Sequence, residues 1–159
     1  DRLVQAVGAP VSMEFGPVGY RRLGSPLELP LFVAWSASGG EPSGTVHRSL
    51  RRRYEAGDEH VRTSMAGLAE QARAAASAIE AGDLRGLATA INRTFELRAL
   101  MVDIDPTTRA LADLGRGCGA AVNSAGSGGS VVGLVPTVDH LERVREAYDA
   151  AGFDVLEIG

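Results

Sequence analysis

The chain has 159 residues with 45% hydrophobic side chains, enough for one ordinary domain with a full core, or for one and a half small ones. Its formal net charge of −4 and the lack of an apolar stretch of spanning length lead us to expect neither nucleic acid nor membrane as a partner, and a single cysteine suits a reducing, cytoplasmic location. The single Cys118 excludes an internal disulfide and a cysteine-based metal cluster, and the lack of lysine leaves any lysine chemistry to another segment.

The first 29 residues are interpreted as the remnant of a neighbouring domain. Asp1 runs directly into an apolar-rich segment, which is less polar than a disordered leader, so we expect a fragment cut through an ordered region. Side chains from Val11 to Phe15 alternate between apolar and polar, which predicts a strand. Glycines and prolines then predict a loop-rich crossing. We therefore divide the chain into 1–29, from an N-terminal domain, and 30–159, a C-terminal domain.

The pattern from residue 30 onward predicts the order strand, helices, strand, strand, helix, strand. The predicted strands are 31–35, 119–123, 131–135 and 153–158. Four helices of the first crossover are predicted to begin near Ser43, Asp58, Asp83 and Asp105, and a last helix covers 138–150. This order predicts an α+β fold of the ferredoxin-like, split βαβ type with extra helices in the first crossover.

The segment from Asn123 to Ser130 lies between two predicted strands and contains three glycines and three serines. Such a turn exposes backbone N–H groups and lets another backbone, or a phosphate, approach closely. A glycine-rich turn is equally well explained as a tight connection that contacts no ligand. The candidate binding residues in it are Ser124, Gly126, Ser127, Gly128 and Gly129.

A second group of candidates lies at the start of the first crossover helix. Ser43 is a suitable N-cap, and His47 and Arg48 follow within the first turns, where a helix N-terminus favours anions. The Arg48 guanidinium suits an anionic sugar or a nucleotide phosphate. The basic run continues through Arg51–Arg53, so a solvated basic face is the alternative. No two histidines share a metal-ligand spacing, and we predict no metal ligands in this chain.

The stretch Gly119–Leu134 resembles the third signature of the GHMP small-molecule kinases, which include galactokinase, homoserine kinase, mevalonate kinase and phosphomevalonate kinase. Other segments resemble the same family in the same order, so that the resemblance spans essentially the whole chain. Those segments are Asp1–Gln5, Gly8, Val11–Phe15, Ser43–Ser49, Gly57–Asp58 and Asn92–Arg98. Within the family, the chain is most similar to the glucuronokinase-like sugar-1-kinases.

The resemblance implies the C-terminal half of an ATP-dependent sugar or sugar-acid kinase that phosphorylates a substrate hydroxyl, the anomeric one in sugar-1-kinases. Asp1 matches the family's acidic residue that faces the acceptor hydroxyl, where a carboxylate orients the hydroxyl and accepts its proton. Substrate or phosphate binding would fall to Arg2, Ser43, His47 and Arg48. Ser127 and Ser130 replace residues that are often Gly or Cys in the family's turn.

The same resemblance implies which partners the chain needs. The glycine turn would pack against the family's phosphate loop, which is absent from this sequence and should lie on the missing N-terminal half. ATP and Mg²⁺ would be bound mainly by that half, so we expect the chain alone to be inactive. The sugar itself is left open by the sequence.

Two other functions stay open. Ferredoxin-like domains often bind small molecules without catalysis, so the chain would then be a regulatory or binding module. An assembly role is the other alternative, as one subunit of a split protein or as a homodimer formed through an open sheet edge.

Overall fold

The computed structural model describes residues 2–14, 19–24, 29–37, 43–126 and 128–158, without the side chains of Arg2 and 43–47. The helices are α1 (Arg2–Val7), α2 (Ser43–Glu55), α3 (Glu59–Ala81), α4 (Leu84–Ala99), α5 (Pro106–Gly117) and α6 (Asp139–Ala150). The strands are β1 (Val11–Glu14), β2 (Gly19–Arg22), β3 (Leu31–Trp35), β4 (Ala121–Ser124), β5 (Ser130–Leu134) and β6 (Asp154–Ile158). In these ranges no helix combines the length and the apolar character needed to cross a membrane.

The larger sheet has four strands in the order β4-β5-β3-β6, and every neighbouring pair is antiparallel. β3 is central, with Phe32 opposite Gly133 on one side and Glu157 on the other. Taken in chain order, its strands are arranged 2-3-1-4 with helices in the first and last connections, which is the split βαβ arrangement. The predicted α+β, ferredoxin-like fold is confirmed.

Three aspartates set the starts of the long helices, as their sequence positions predict. Asp58, Asp83 and Asp105 are the N-caps of α3, α4 and α5, and each carboxylate accepts a hydrogen bond from the amide three residues later, at 2.9–3.2 Å. Gly82 ends α3 in the left-handed conformation, with φ of 67°. Local capping therefore separates one long apolar stretch into two antiparallel helices that pack together.

The main core lies on the face of the sheet that α5 and α6 cover. Phe32 and Tyr148 are fully buried there, with ring centroids 5.6 Å apart. The Tyr148 hydroxyl donates to the Leu111 carbonyl at 2.6 Å, so its polar end is satisfied inside the core. The Phe32 ring occupies the space that a side chain at Gly133 would need. On the opposite face, Leu134 packs with residues of α3 and α4 in a second apolar cluster.

The prediction that β1 is followed only by loop is wrong at Gly19–Arg22, which forms β2 and pairs antiparallel with β1. All four residues of β2 are exposed, so the segment has no apolar periodicity that would indicate a strand. β1 ends at Glu14, and Phe15 lies outside the described residues. The predicted division at residue 30 stays a prediction.

The strands around the glycine turn begin later or earlier than predicted. β4 starts at Ala121 rather than at Gly119, because Gly119 has φ of 85° and the Ala120 amide still bonds the Gly115 carbonyl of α5. β5 starts one residue earlier, at Ser130, and ends at Leu134. β6 starts at Asp154, one residue after the predicted start.

Candidate active site

The glycine turn connects β4 to β5 at the end of the sheet where β3 also ends. The Ala125 amide donates to the Ser130 carbonyl at 2.9 Å and closes the turn. Its three glycines have φ values of 62° (Gly126), 122° (Gly128) and 75° (Gly129), which L side chains rarely adopt. Ser127 lies outside the described residues. The glycines are therefore required by the backbone path of the turn.

The start of α5 holds the turn from one side. The Gly129 amide donates to Thr108 Oγ1 at 2.7 Å, and this hydroxyl donates to Asp105 Oδ2 at 2.5 Å. Thr108 is only 1% exposed. A methyl group at Gly128 would lie 2.5 Å from Asp105 Oδ2, so the turn packs directly against this carboxylate.

The charge of Asp105 is set by opposing effects. Burial pushes the pKa of Asp105 upward, but hydrogen bonds from the Thr108 hydroxyl and from the Thr108 and Thr107 amides outweigh it. The pKa of Asp105 consequently lies below its ordinary value, and the group is a carboxylate at neutral pH. It acts as an acceptor only.

Two further elements bond the turn. The Ser36 amide, just after β3, donates to the Gly129 carbonyl at 3.0 Å. Arg98, near the end of α4, donates from Nη2 to the Gly126 carbonyl, also at 3.0 Å. On the same helix, Asn92 Oδ1 accepts a hydrogen bond from the amide of Val122 in edge strand β4 at 3.1 Å. The Asn92–Arg98 segment thus supports both β4 and the turn that follows it.

Two polar atoms in the first two residues of the turn are buried and have no hydrogen-bond partner among the described residues. They are Asn123 Oδ1 and Ser124 Oγ, and Ser124 is 8% exposed. A buried hydroxyl without a partner costs free energy, about 1–3 kcal/mol. The Ser124 hydroxyl is thus a hydrogen-bonding group that the described residues leave unused, two positions before the exposed Gly126.

Hydrogen-bonding capacity differs along the turn. The Gly129 amide is already bonded to Thr108, so it is not available to a phosphate. The amides of Gly126 and Gly128 have no acceptor within the described part of the chain. Direct contact with an anion would therefore fall to these two amides and to the Ser124 hydroxyl.

The other candidate residues lie in α1, in α2 or outside the described residues. Asp1 lies outside the described residues, and Arg2 is the first residue of α1. Ser43 is the first residue of α2 and His47 lies in its second turn, while Arg48 is exposed. Their assignment to substrate or phosphate binding stays a prediction.

The residues that sequence reasoning missed at this site are Ser36, Arg98, Asp105 and Thr108. Asp105 is recognisable in the sequence as a helix cap, and Arg98 lies in a segment with family resemblance. Their contacts with the turn join residues far apart in sequence: 21 positions for Thr108 to Gly129, 28 for Arg98 to Gly126, and more for Ser36 to Gly129. No local pattern indicates such contacts.

The chain is similar to two curated proteins from Arabidopsis thaliana. It is 36% identical to Probable glucuronokinase 2 over 97 residues, which cover 59% of this chain and 26% of that protein. It is 28% identical to Glucuronokinase 1 over 170 residues, covering 99% of this chain and 47% of that protein. The chain thus spans about half, or less, of the length of these relatives.

Solved structures of three other proteins share the fold. Mevalonate kinase from L. major, in complex with R-mevalonate, has a TM-score of 0.79 at 14% identity, covering 92% of this chain and 47% of that chain. The Lin0012 protein from Listeria innocua has a TM-score of 0.76 at 17% identity, covering 87% and 41%. Phosphomevalonate kinase from Streptococcus pneumoniae has a TM-score of 0.69 at 17% identity, covering 89% and 44%.

A family model described as GHMP kinases C terminal matches residues 75–154, half of the chain, and includes α4, α5 and the whole glycine turn. The structural likeness supports the same fold over most of the remaining residues. The chain therefore belongs to the GHMP kinase family, and the matched half is the C-terminal domain of that family.

Proposed function

We propose that this chain is the C-terminal part of an ATP-dependent sugar or sugar-acid kinase that phosphorylates a substrate hydroxyl, the anomeric hydroxyl in particular. The observation that carries this proposal is the similarity to Glucuronokinase 1 along 99% of the chain. The buried, supported glycine turn agrees with it, because phosphoryl transfer depends mostly on positioning and on fixed hydrogen-bond donors.

In the proposed reaction the substrate oxygen forms a bond to the γ-phosphorus of ATP, while the bond from that phosphorus to the β,γ-bridging oxygen breaks and ADP leaves. The acceptor hydroxyl loses its proton to a carboxylate, for which Asp1 is the proposed residue. Arg2, Ser43, His47 and Arg48 are proposed to bind substrate or phosphate. Among these, Arg48 presents an exposed guanidinium on α2, which suits an anionic group.

ATP and Mg²⁺ are proposed to be bound mainly by parts of the protein outside this sequence, which spans 47% of Glucuronokinase 1. The described residues contain no group of three or more His, Cys, Asp or Glu placed to hold a metal ion. The glycine turn is proposed to support the neighbouring phosphate-binding loop and to offer the Gly126 and Gly128 amides and the Ser124 hydroxyl to it or to the ligand.

Partners and location follow from the same proposal: ATP, a small sugar or sugar acid, and the N-terminal half of the same protein, in the cytoplasm. A homodimer is a further proposal. It rests on β6, which pairs with β3 alone within the described ranges and leaves Leu156 and Ile158 exposed.

The test is a coupled assay for ADP release by the full-length protein, with glucuronate, galactose and other sugars offered separately. We expect one of them to yield a sugar 1-phosphate that is hydrolysed readily in acid, and we expect residues 1–159 alone to yield none. Phosphorylation at another hydroxyl would contradict the anomeric assignment. Saturable binding of a small molecule without any phosphoryl transfer would support the regulatory alternative, and transfer by residues 1–159 alone would contradict the assignment of ATP binding to other parts.

A further inference from the structure

We propose that Thr108 is a positioning residue of the active site, whose hydroxyl accepts a hydrogen bond from the Gly129 amide, donates one to the Asp105 carboxylate, and thereby fixes the shape of the glycine turn. This inference rests on the proposed kinase function. It concerns two residues that touch neither ATP nor sugar in that proposal, and it explains how the turn keeps its remaining amides in place.

The direction of each hydrogen bond in this relay, from Gly129 through Thr108 to Asp105, is fixed by chemistry. A threonine hydroxyl has one proton to donate and two lone pairs that accept. The Gly129 N–H donates to one lone pair at 2.7 Å, and the hydroxyl proton goes to the Asp105 carboxylate at 2.5 Å. The second distance is typical of a hydroxyl bonded to a charged oxygen. With Thr108 buried, water does not compete for either bond.

The other helix caps of the chain show that the Thr108 hydroxyl is not needed to start α5. Asp58 and Asp83 cap α3 and α4 through the same carboxylate-to-amide bond, made three residues later to Val61 and Gly86. Neither of those residues has a side-chain hydroxyl. Asp105 makes the same bond to the Thr108 amide at 2.9 Å. The additional hydroxyl at this cap therefore serves the glycine turn, which is its other partner.

The turn is also shaped to fit the relay. Gly128 lies so close that a methyl group there would be 2.5 Å from Asp105 Oδ2 and 3.3 Å from Thr108 Oγ1. Arg98 donates a hydrogen bond to the carbonyl of Gly126, two residues before Gly128. A shift of the Gly129 amide would move Gly128 and Gly126 with it, and these two carry the amides that are free to meet an anion.

The test compares Thr108→Val with Thr108→Ser in the full-length protein. Valine keeps the size and branching of threonine without a hydroxyl, while serine keeps the hydroxyl. We expect Thr108→Val to lower kcat by about tenfold or more, the order expected for losing a hydrogen bond that supports the transition state, with little change in the KM of the sugar. Thr108→Ser should restore kcat to within about threefold of the wild type.

Asp83→Ala is the matched control, since it removes the N-cap at the start of α4, whereas Arg98, which bonds the turn, lies near the end of that 16-residue helix. It should lower the melting temperature and leave kcat unchanged. If Thr108→Val behaves like this control, with a lower melting temperature and an unchanged kcat, Thr108 is merely structural and the proposal is wrong. Asp105→Asn is the second variant, for use if Thr108→Val does not fold. Asparagine still caps the helix but presents an amide NH₂ in place of one acceptor oxygen, and we expect the same loss of kcat.

Hydrogen exchange separates failure of this inference from failure of the kinase proposal. In Thr108→Val the Gly129 amide, which loses its acceptor, and the Ala125 amide, which closes the turn, should exchange at least about tenfold faster, while the amides of α6 stay unchanged. This result would support the relay even if the wild-type protein phosphorylates no sugar. Unchanged exchange at the turn would overturn the relay whatever the enzyme assay shows.

Discussion

Substitution of Gly128 by alanine tests whether the glycine turn packs against the Asp105 carboxylate. At φ of 122° any L residue is strained, which costs about 1–2 kcal/mol. The new methyl group would also lie 2.5 Å from Asp105 Oδ2, so the carboxylate must move and weaken its bonds to Thr108. That second effect adds about 1–3 kcal/mol. We expect Gly128→Ala to lower the free energy of unfolding by about 2–5 kcal/mol in total.

The matched control is Gly126→Ala in the same turn. Gly126 has φ of 62°, and nothing lies within 4 Å of a methyl group placed there. It should show only the backbone effect, about 1–2 kcal/mol. Urea unfolding of both variants at neutral pH measures the difference. Equal destabilisation by the two substitutions would refute the packing of Gly128 against Asp105.

The coupling can be measured directly with a double-mutant cycle. Asp105→Ser keeps a capping side chain but shortens it, which makes room for a methyl group at residue 128. The loss caused by Gly128→Ala should then fall by about 1 kcal/mol or more in the Asp105→Ser background. If Gly128→Ala lowers the free energy of unfolding equally in both backgrounds, the destabilisation comes from backbone strain alone.

Three further predictions follow from buried and charged groups. Ser124→Ala removes a hydroxyl that has no partner among the described residues, so the free energy of unfolding should stay within about 0.5 kcal/mol of the wild-type value or rise. If the hydroxyl binds a ligand, the KM for ATP or sugar should increase in this variant. Tyr148→Phe leaves the Leu111 carbonyl without its 2.6 Å hydrogen bond and should destabilise the protein by about 1 kcal/mol in thermal or urea unfolding. The side-chain hydrogen bond from Arg53 lowers the pKa of Asp58, and the pKa of Asp105 is lowered despite its burial. Both carboxylates therefore stabilise the fold above about pH 4, and this stabilisation is lost as the pH falls through their lowered pKa values. In urea unfolding, the free energy of unfolding should fall less between pH 7 and pH 3 in Asp58→Asn than in the wild type.

Local chemistry explains which parts of the fold are predictable from the sequence. Asp58, Asp83 and Asp105 each start a helix through a bond to a residue three positions away, so the signal lies within one helical turn. The central strand, β3, is a short apolar run and lies where the pattern predicts it. The sequence pattern does not show β2, because its residues are all exposed and it is held by backbone pairing with β1 and by an ion pair from Arg21 to Glu80 of α3.

The candidate site likewise has one part that the sequence predicts and one part that it does not. Its glycines are visible in the sequence because positive φ angles favour glycine. The residues that hold the turn are not visible, since Thr108 is a common helix residue and Arg98 is one of several arginines on α4. Their roles depend on the way that α4 and α5 pack beside β4, which no short segment specifies.

The three glycines of the turn have different structural roles, and this difference bears on how the turn would act. Gly129 uses its amide to bond Thr108, Gly128 leaves room for the Asp105 carboxylate, and Gly126 offers its carbonyl to Arg98. Hydrogen bonds from α4, α5 and the residue after β3 restrain the turn without any ligand. Rigid donors require no reorganisation when charge develops on a transferring phosphoryl group. The proposed contribution of this chain to catalysis is therefore a set of backbone donors held in place before the ligand binds. The effect of these donors on kcat should depend more on Thr108 and Asp105 than on the number of glycines.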